Sequence, residues 1–310
     1  MGIILIFIDG FGLSEPVITN PYFFAATPFL DNYLEGHHFY ASSMPLFSNS
    51  VTAKAVDAQL GVEGIPQSAT GQTAIWTGVN AQKRLGYHLH GLPNPQLKSI
   101  IIEHNIYRRL KALGKSVIFA NAYRPSFFSS NDSYVSVSTF AAVSAGLRLC
   151  TVDDLKMGTA VYQDITNKAL QRTVEDVPLV SPTAAGKNLG KISLRFDLTV
   201  FEFFQTDIVG HKRDFIKALE IWTILDKFFE GLLTTIDLAE NLVIIISDHG
   251  NMEDLSHSRH TSNLVPLLGI GYRHQALRGI SNISQITPLI EEMHRRNDFN
   301  EIKGNLSASC

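Results

Sequence analysis

The chain opens on an unbroken apolar run from Gly2 to Ile8 that meets Asp9 at once. A run this short and continuous fits a strand buried on both faces. It falls well below the roughly 20 apolar residues of a membrane span and lacks the basic start of a signal peptide. The same reading predicts strands at Val117–Asn121, Thr199–Asp207 and Leu242–Asp248, a strand candidate at Thr52–Leu60, and a further apolar run at Val265–Ile270. Phe215, Leu219, Trp222, Leu225, Phe229 and Leu232 recur at three- and four-residue steps, the pattern of one long amphipathic helix. Shorter helical patterns cover Pro28–Leu34, Ser68–Val79, Gln96–Leu113 (closed by Gly114) and Ile283–Arg296. Strands alternating with helices, the strands apolar throughout, predict an α/β fold with a mostly parallel sheet covered on both faces.

In such sheets ligands gather beyond the carboxyl ends of the strands. Asp9, Asp207 and Asp248 each end a predicted strand. One such Asp is ordinarily a turn former or a helix cap; three, each with His or Gly nearby, point to a shared site. Asp207 and His211 stand four apart in TDIVGH, Asp248 and His249 are adjacent in SDHGN, and His260 precedes the run at Val265, with His257 close by. Carboxylate oxygens and imidazole nitrogens suit Zn²⁺ or Mn²⁺ without any thiolate. The remaining element is the stretch from Gly64 to Gly78, in which a turn-rich segment enters a helix at SATGQTA. A hydroxyl there, on Ser68 or Thr70, is either a nucleophile beside an anion-binding helix start or a helix cap. The stretch is not a P-loop, and no GxGxxG follows a strand.

Composition narrows the class. The 310 residues carry 26 Lys+Arg against 29 Asp+Glu, a net charge of −3, which argues against a nucleic-acid partner. Hydrophobic content of 45% against 18% charged predicts a large buried core. The two cysteines, Cys150 and Cys310, make no disulfide framework, and a reducing, cytoplasmic setting is expected. No membrane association is expected.

The ordered set IDGFG, SATGQTA, TDIVGH, SDHGN and HTSNLVPLL resembles the alkaline phosphatase superfamily. The likeness is greatest to the metalloenzyme branch that includes cofactor-independent phosphoglycerate mutase and phosphopentomutase. It covers residues 1–80 and 197–290. The resemblance implies a three-layer αβα sandwich and two divalent ions, Mn²⁺ or Zn²⁺ or else Mg²⁺. It matches one ion to Asp207, His211 and His260, the last chosen over His257 because the family His is followed directly by Thr. It matches the other ion to Asp9, Ser68, Asp248 and His249. The family nucleophile lies three residues before the motif Gly, here Gly71, which selects Ser68 over Thr70 and implies a phosphoserine intermediate.

Residues 1–80 and 197–310 are therefore expected to form the metal-binding core, with 81–196 a smaller insertion or lid that also contributes to it. This middle does not match the mutases, whose larger second domain carries an arginine cluster; here Arg84, Arg108, Arg109 and Arg124 are scattered. A short lid shields a phosphoryl group poorly from water, so hydrolysis of a small phosphorylated metabolite is expected over isomerisation. A mutase and a non-catalytic metal-binding relative are the alternatives. SATGQ lacks the modification motif of sulfatases. Arg84, His88 and His90, just after the nucleophile helix, are candidates to face the substrate, or else form a solvated loop. Asn121, at the end of a predicted strand, is another candidate contact, or else part of a capping turn.

Overall fold

The computed structural model describes residues 1–129 and 135–296; Cys310 and the rest of 297–310 lie outside the described residues. The strands are β1 (Gly2–Ile8), β2 (Leu46–Phe47), β3 (Val51–Val56), β4 (Val117–Phe119), β5 (Leu198–Phe203), β6 (Asn241–Ile246) and β7 (Val265–Gly271). They form one sheet in the order β2-β3-β7-β6-β1-β5-β4. β1 pairs in parallel with β5 and β6, and β4 in parallel with β5. β7 runs antiparallel between β6 and β3, and β2 antiparallel to β3. Five strands thus share one direction, and the two reversed strands lie on the β2 side.

In chain order the helices are α1 (Pro28–Tyr33), α2 (Ser68–Thr77), α3 (Ala81–Leu85), α4 (Pro95–His104), α5 (Ile106–Ala112), α6 (Pro125–Ser129), α7 (Val137–Ser144), α8 (Val152–Lys156), α9 (Pro182–Ser193), α10 (Gln205–Lys212) and α11 (Phe215–Leu233), followed by a helix over residues 286–296. The alternation of β1 sorts them into layers. Ile3, Leu5 and Phe7 enter a core with Trp76 of α2, Ile101 of α4, Leu110 of α5 and Ile290 of the last helix. Ile4, Ile6 and Ile8 enter the opposite core with Leu30 of α1, Leu189 of α9, and Trp222 and Phe229 of α11. The result is a three-layer αβα sandwich. Residues 81–196 supply β4 to the sheet, α4, α5 and α7 to one layer and α9 to the other, plus a small separate cluster around Cys150, Tyr162 and Leu170. Cys150 is a buried free thiol whose pKa burial pushes up to about 11. Among the described residues no helix is long and apolar enough to cross a membrane.

Several predicted elements change at their ends. The helix read over Gln96–Leu113 is two helices, because Asn105 ends α4 and its side chain accepts from Arg108 N–H to cap α5. The strand read to Leu60 stops at Val56, where Asp57 turns the chain by accepting from the Gln59 and Leu60 amides. The strand read to Asp207 stops at Phe203, and Asp207 sits instead in the first turn of α10. Spacing four is then one helical turn, which puts Asp207 and His211 on one face.

The layer behind β1 and β5 depends on a close helix crossing. A Cβ on Gly231 of α11 would lie 2.0 Å from the Thr183 carbonyl of α9, and one on Gly186 would lie 2.0 Å from the Phe228 carbonyl. Only backbone faces backbone there, so neither contact yields by a rotamer change. Gly231→Ala is expected to lower stability in urea unfolding by roughly 1–3 kcal/mol or more. Gly279→Ala, where a Cβ meets nothing within 4 Å, is the control and should leave the midpoint nearly unchanged.

Candidate metal centre

The sheet register delivers the acidic residues to one place. Ile8 lies opposite Phe203 and Phe7 opposite Ile246, so the carboxyl ends of β1, β5 and β6 are level. Asp9 follows β1, Asp248 follows β6, and α10 springs from the end of β5. Gly10 has φ +68°, and a Cβ on it would sit 2.8 Å from Asp207 Oδ1, so the chain turns past Asp207 only with Gly at this point. Gly71 allows α2 the same approach, since its Cβ would lie 2.8 Å from the Asp248 carbonyl.

Two groups result. In the first, His211 Nε2 lies 3.3 Å from Asp207 Oδ2, His260 Nε2 lies 3.4 Å from Asp207 Oδ1, and the two Nε2 atoms are 3.1 Å apart. The other ring nitrogens face backbone carbonyls, Nδ1 of His211 at 2.8 Å from Ser258 O and Nδ1 of His260 at 3.2 Å from Pro66 O. A carbonyl only accepts, so each neutral ring keeps its proton on Nδ1 and turns an Nε2 lone pair toward the carboxylate. Burial holds the His260 pKa below its ordinary value against the pull of Asp207, so a second proton does not readily relieve this. For Asp207, burial pulls upward, but the amide that Asn251 donates and the charge of His249 hold it below the usual carboxylate range.

In the second group, His249 Nε2 lies 3.3 Å from Asp9 Oδ1, 3.5 Å from Asp248 Oδ2 and 2.9 Å from Ser68 Oγ. Asp248 and His249 are fully buried. Asp9 Oδ1 and Asp248 Oδ2 receive no hydrogen bond among the described residues. Burial and the neighbouring Asp9 push the Asp248 carboxyl well above its ordinary value. Burial alone would lower His249, but Asp248 and Asp9 outweigh it and raise the imidazole to about 10. The groups adjoin, with the His249 and His260 rings stacked at 3.7 Å between centroids.

Both groups fit divalent ions. Donor atoms of a tetrahedral site with ~2.1 Å bonds lie roughly 3.4 Å apart, and the ligand-atom separations above run from 3.1 to 3.5 Å. The Nδ1–H to carbonyl bonds of His211 and His260 are the outer contacts that orient metal-ligating imidazoles. The two bare carboxylate oxygens are acceptors lacking a donor, and a cation supplies what a hydrogen-bond donor does not.

Ser68 is the first residue of α2 and reaches the second group. Thr70 does not: it is buried, its hydroxyl donating to Gln67 O and accepting from Leu89 N–H. The free amides expected at this helix start are partly taken, since Ala69 and Thr70 N–H both donate to Leu89 O. His257 is paired with Asp254 at 3.9 Å and belongs to neither group. His90 lies beside the first group, its ring centroid 5.6 Å from that of His260, with Nδ1 3.0 Å from Gln67 Oε1. His88 is turned to the Val62 carbonyl at 3.1 Å, and Arg84 is exposed on α3. Asn121 bridges both backbone groups of Glu202 through its side-chain amide at 2.8 Å and ties the end of β4 to β5.

The residues that hold the ligands escaped the sequence reading. Asn251 Nδ2 donates to Asp207 Oδ1 at 2.6 Å, Gln72 Nε2 to Asp9 Oδ2 at 3.3 Å, and Thr206 Oγ1 to the Asp9 carbonyl. Buried Glu253 accepts from Gly12 N–H, Asn251 N–H, Thr261 Oγ1 and Asn263 Nδ2, pinning the first-strand turn to the loop that carries His260. Asn251 lies inside SDHGN and Gln72 inside SATGQTA, so only the pattern of donors, not their position, was missing. Glu202, buried on β5, is raised by burial to about 8 despite the donated Ser138 hydroxyl at 2.7 Å.

Comparison with known proteins agrees with this architecture. The family model of the Metalloenzyme superfamily matches residues 1–307. A 2,3-bisphosphoglycerate-independent phosphoglycerate mutase of Coxiella burnetii is 29% identical over 102 residues, 31% of this chain and 20% of that enzyme. The PH0037 protein of Pyrococcus horikoshii shares the fold at TM-score 0.58 and 15% identity, covering 95% of this chain and 97% of that one. A cold-active alkaline phosphatase from Shewanella sp. does so at TM-score 0.58 and 13% identity, covering 95% and 100%.

Asp248→Asn separates ligand from structural residue. The substitution removes a buried carboxyl with an unbonded oxygen, so the metal-stripped variant is expected to be more stable than the metal-stripped wild type by about 1–3 kcal/mol in urea unfolding. Metal analysis after Mn²⁺ or Zn²⁺ loading should show the variant short of one ion per chain. A destabilised variant with full metal content would assign Asp248 to the fold alone.

Proposed function

The chain belongs to the Metalloenzyme superfamily, and from that membership we propose that it is a two-metal phosphoryl-transfer enzyme that hydrolyses small phosphate esters through phospho-Ser68. The observation that carries the proposal is the position of Ser68 Oγ, 2.9 Å from His249 Nε2 at the rim of two adjoining metal-ligand groups. Asp207, His211 and His260 would hold one ion, and Asp9, Asp248 and His249 the other, with the Ser68 hydroxyl beside it. Bound divalent ions supply Lewis acidity, lowering the pKa of a nearby hydroxyl and neutralising phosphoryl charge.

The chain's own part is positioning. α2 begins at Ser68, so the hydroxyl is fixed at a helix start whose dipole favours an anion. Ser68 Oγ forms a bond to phosphorus as the ester oxygen leaves, and the proton lost from Ser68 ends on the departing alcohol. Water then attacks the phosphoserine, restoring the hydroxyl and releasing inorganic phosphate. His90, near His260 and His211, is placed to meet the substrate side of the first ion.

Hydrolysis is favoured over isomerisation by access. The His211 side chain is 38% exposed, and much of 81–196 is committed to the two helical layers, which leaves a small cluster to cover a bound ester. The mutase relative matches only a fifth of its own length, so its activity is the second reading.

A panel of phosphate esters with Mn²⁺, Zn²⁺ and Mg²⁺, scored for released phosphate and for positional transfer, tests the reading. Ser68→Ala should cut turnover by roughly three orders of magnitude or more and abolish the phosphoenzyme, with the ion at Asp207, His211 and His260 retained. Thr70→Ala should do far less. Phosphoryl movement within one molecule, without free phosphate, would establish the mutase instead.

A further inference from the structure

Helix α10 has two working faces. Thr206, Asp207, Gly210 and His211 face the metal centre, where Thr206 bonds the Asp9 carbonyl and Gly210 packs on Asn251. Gln205, Ile208, Val209 and Lys212 line a separate cavity of about 520 Å³ between α10, α11 and the 164–180 segment. The two sets interleave at helical spacing, so the cavity lies behind the metal centre and opens elsewhere.

Its lining is divided by chemistry. Phe203, Val209 and Ile221 are buried and form an apolar floor, with Ile224 half-buried at the wall. Lys168, Arg172, Lys212 and Lys217 stand around it with three acids, Asp164, Asp214 and Glu220. Each acid is already engaged. Asp164 accepts from the amides of Asn167 at 2.9 Å and Ala169 at 2.6 Å, Asp214 caps α11 through Lys217 N–H at 3.0 Å, and Glu220 is paired with Lys217 Nζ at 2.5 Å. Lys168, Arg172 and Lys212 have no ion-pair partner within 4.0 Å among the described residues.

We propose that this cavity binds a small organic anion with an apolar body, its ring or chain on the Phe203–Val209–Ile221 floor and its anionic group against Arg172, Lys212 and Lys168. A volume of this size suits one small molecule. The four cations outnumber the three acids by one, so a purely apolar ligand would leave net positive charge facing it, and inorganic phosphate would leave the floor bare. The site is distinct from the phosphoryl-transfer centre and does not rest on that reading.

Fluorescence titration with 8-anilino-1-naphthalenesulfonate tests it, with the neutral N-phenyl-1-naphthylamine as control. The expected result is saturable binding of the sulfonate, unchanged in Ser68→Ala, and weaker by about tenfold or more in the surface double variant Arg172→Glu/Lys212→Glu. The neutral dye should lose little in that variant, and both should be excluded by Ile224→Trp. Sulfonate binding that is indifferent to the charge reversal would overturn the proposal, as would wild-type protein binding the neutral dye as tightly as the sulfonate.

Discussion

Acceptors without donors, held within about a hydrogen-bond length of one another, buried at Asp248 and His249 and open only at the His211 edge, are the constraint on which this molecule turns. Two imidazole lone pairs stand 3.1 Å apart over one carboxylate, and two buried carboxylate oxygens share a single ring. In a medium of low dielectric such an arrangement is costly unless a cation completes it. The protein organises a great deal of structure around keeping it. The level ends of β1, β5 and β6, the close passage of Gly10 and Gly71, and the four bonds to Glu253 all restrict the same few atoms.

The sandwich explains why those atoms do not relax apart. β1 contributes to both cores, so moving Asp9 disturbs packing on both faces of the sheet. α10 is held by Thr206 on one side and by the α11 layer on the other, and α11 is locked to α9 through facing glycines. A site built on the ends of rigid elements keeps its geometry better than one built on loops. The exposed edge of the centre lies at His211 and His90.

Much of this was legible in the residues. Continuous apolar runs marked β1, β5 and β6, and the rule that ligands gather at strand ends drew Asp9, Asp207 and Asp248 together before any coordinates. Reading Asp207 as a strand end failed because aromatic β-formers run through Phe204 and conceal where α10 starts. The break at Asn105 was hidden because a helix cap inside an apolar pattern leaves the period intact. The bridge from Asn121 to the Glu202 backbone was not legible, because the partner lies 81 residues away. Asn251, Gln72 and Glu253 were invisible for a related reason, since a second layer of hydrogen bonds has no spacing of its own. The helices α6, α7 and α8 are too short to show a clear period and emerged only with the tertiary packing, whereas α9 carries an apolar stripe at helical spacing that was there to be read.

The central claim is that these two groups are metal sites. Anomalous diffraction from crystals grown with Mn²⁺ or Zn²⁺ tests it most directly. The account predicts two peaks, each about 2.0–2.3 Å from its ligand atoms, one among Asp207, His211 and His260 and the other among Asp9, Asp248 and His249. Crystals that show no anomalous density at either place, with the metal bound elsewhere on the surface or not at all, would contradict it.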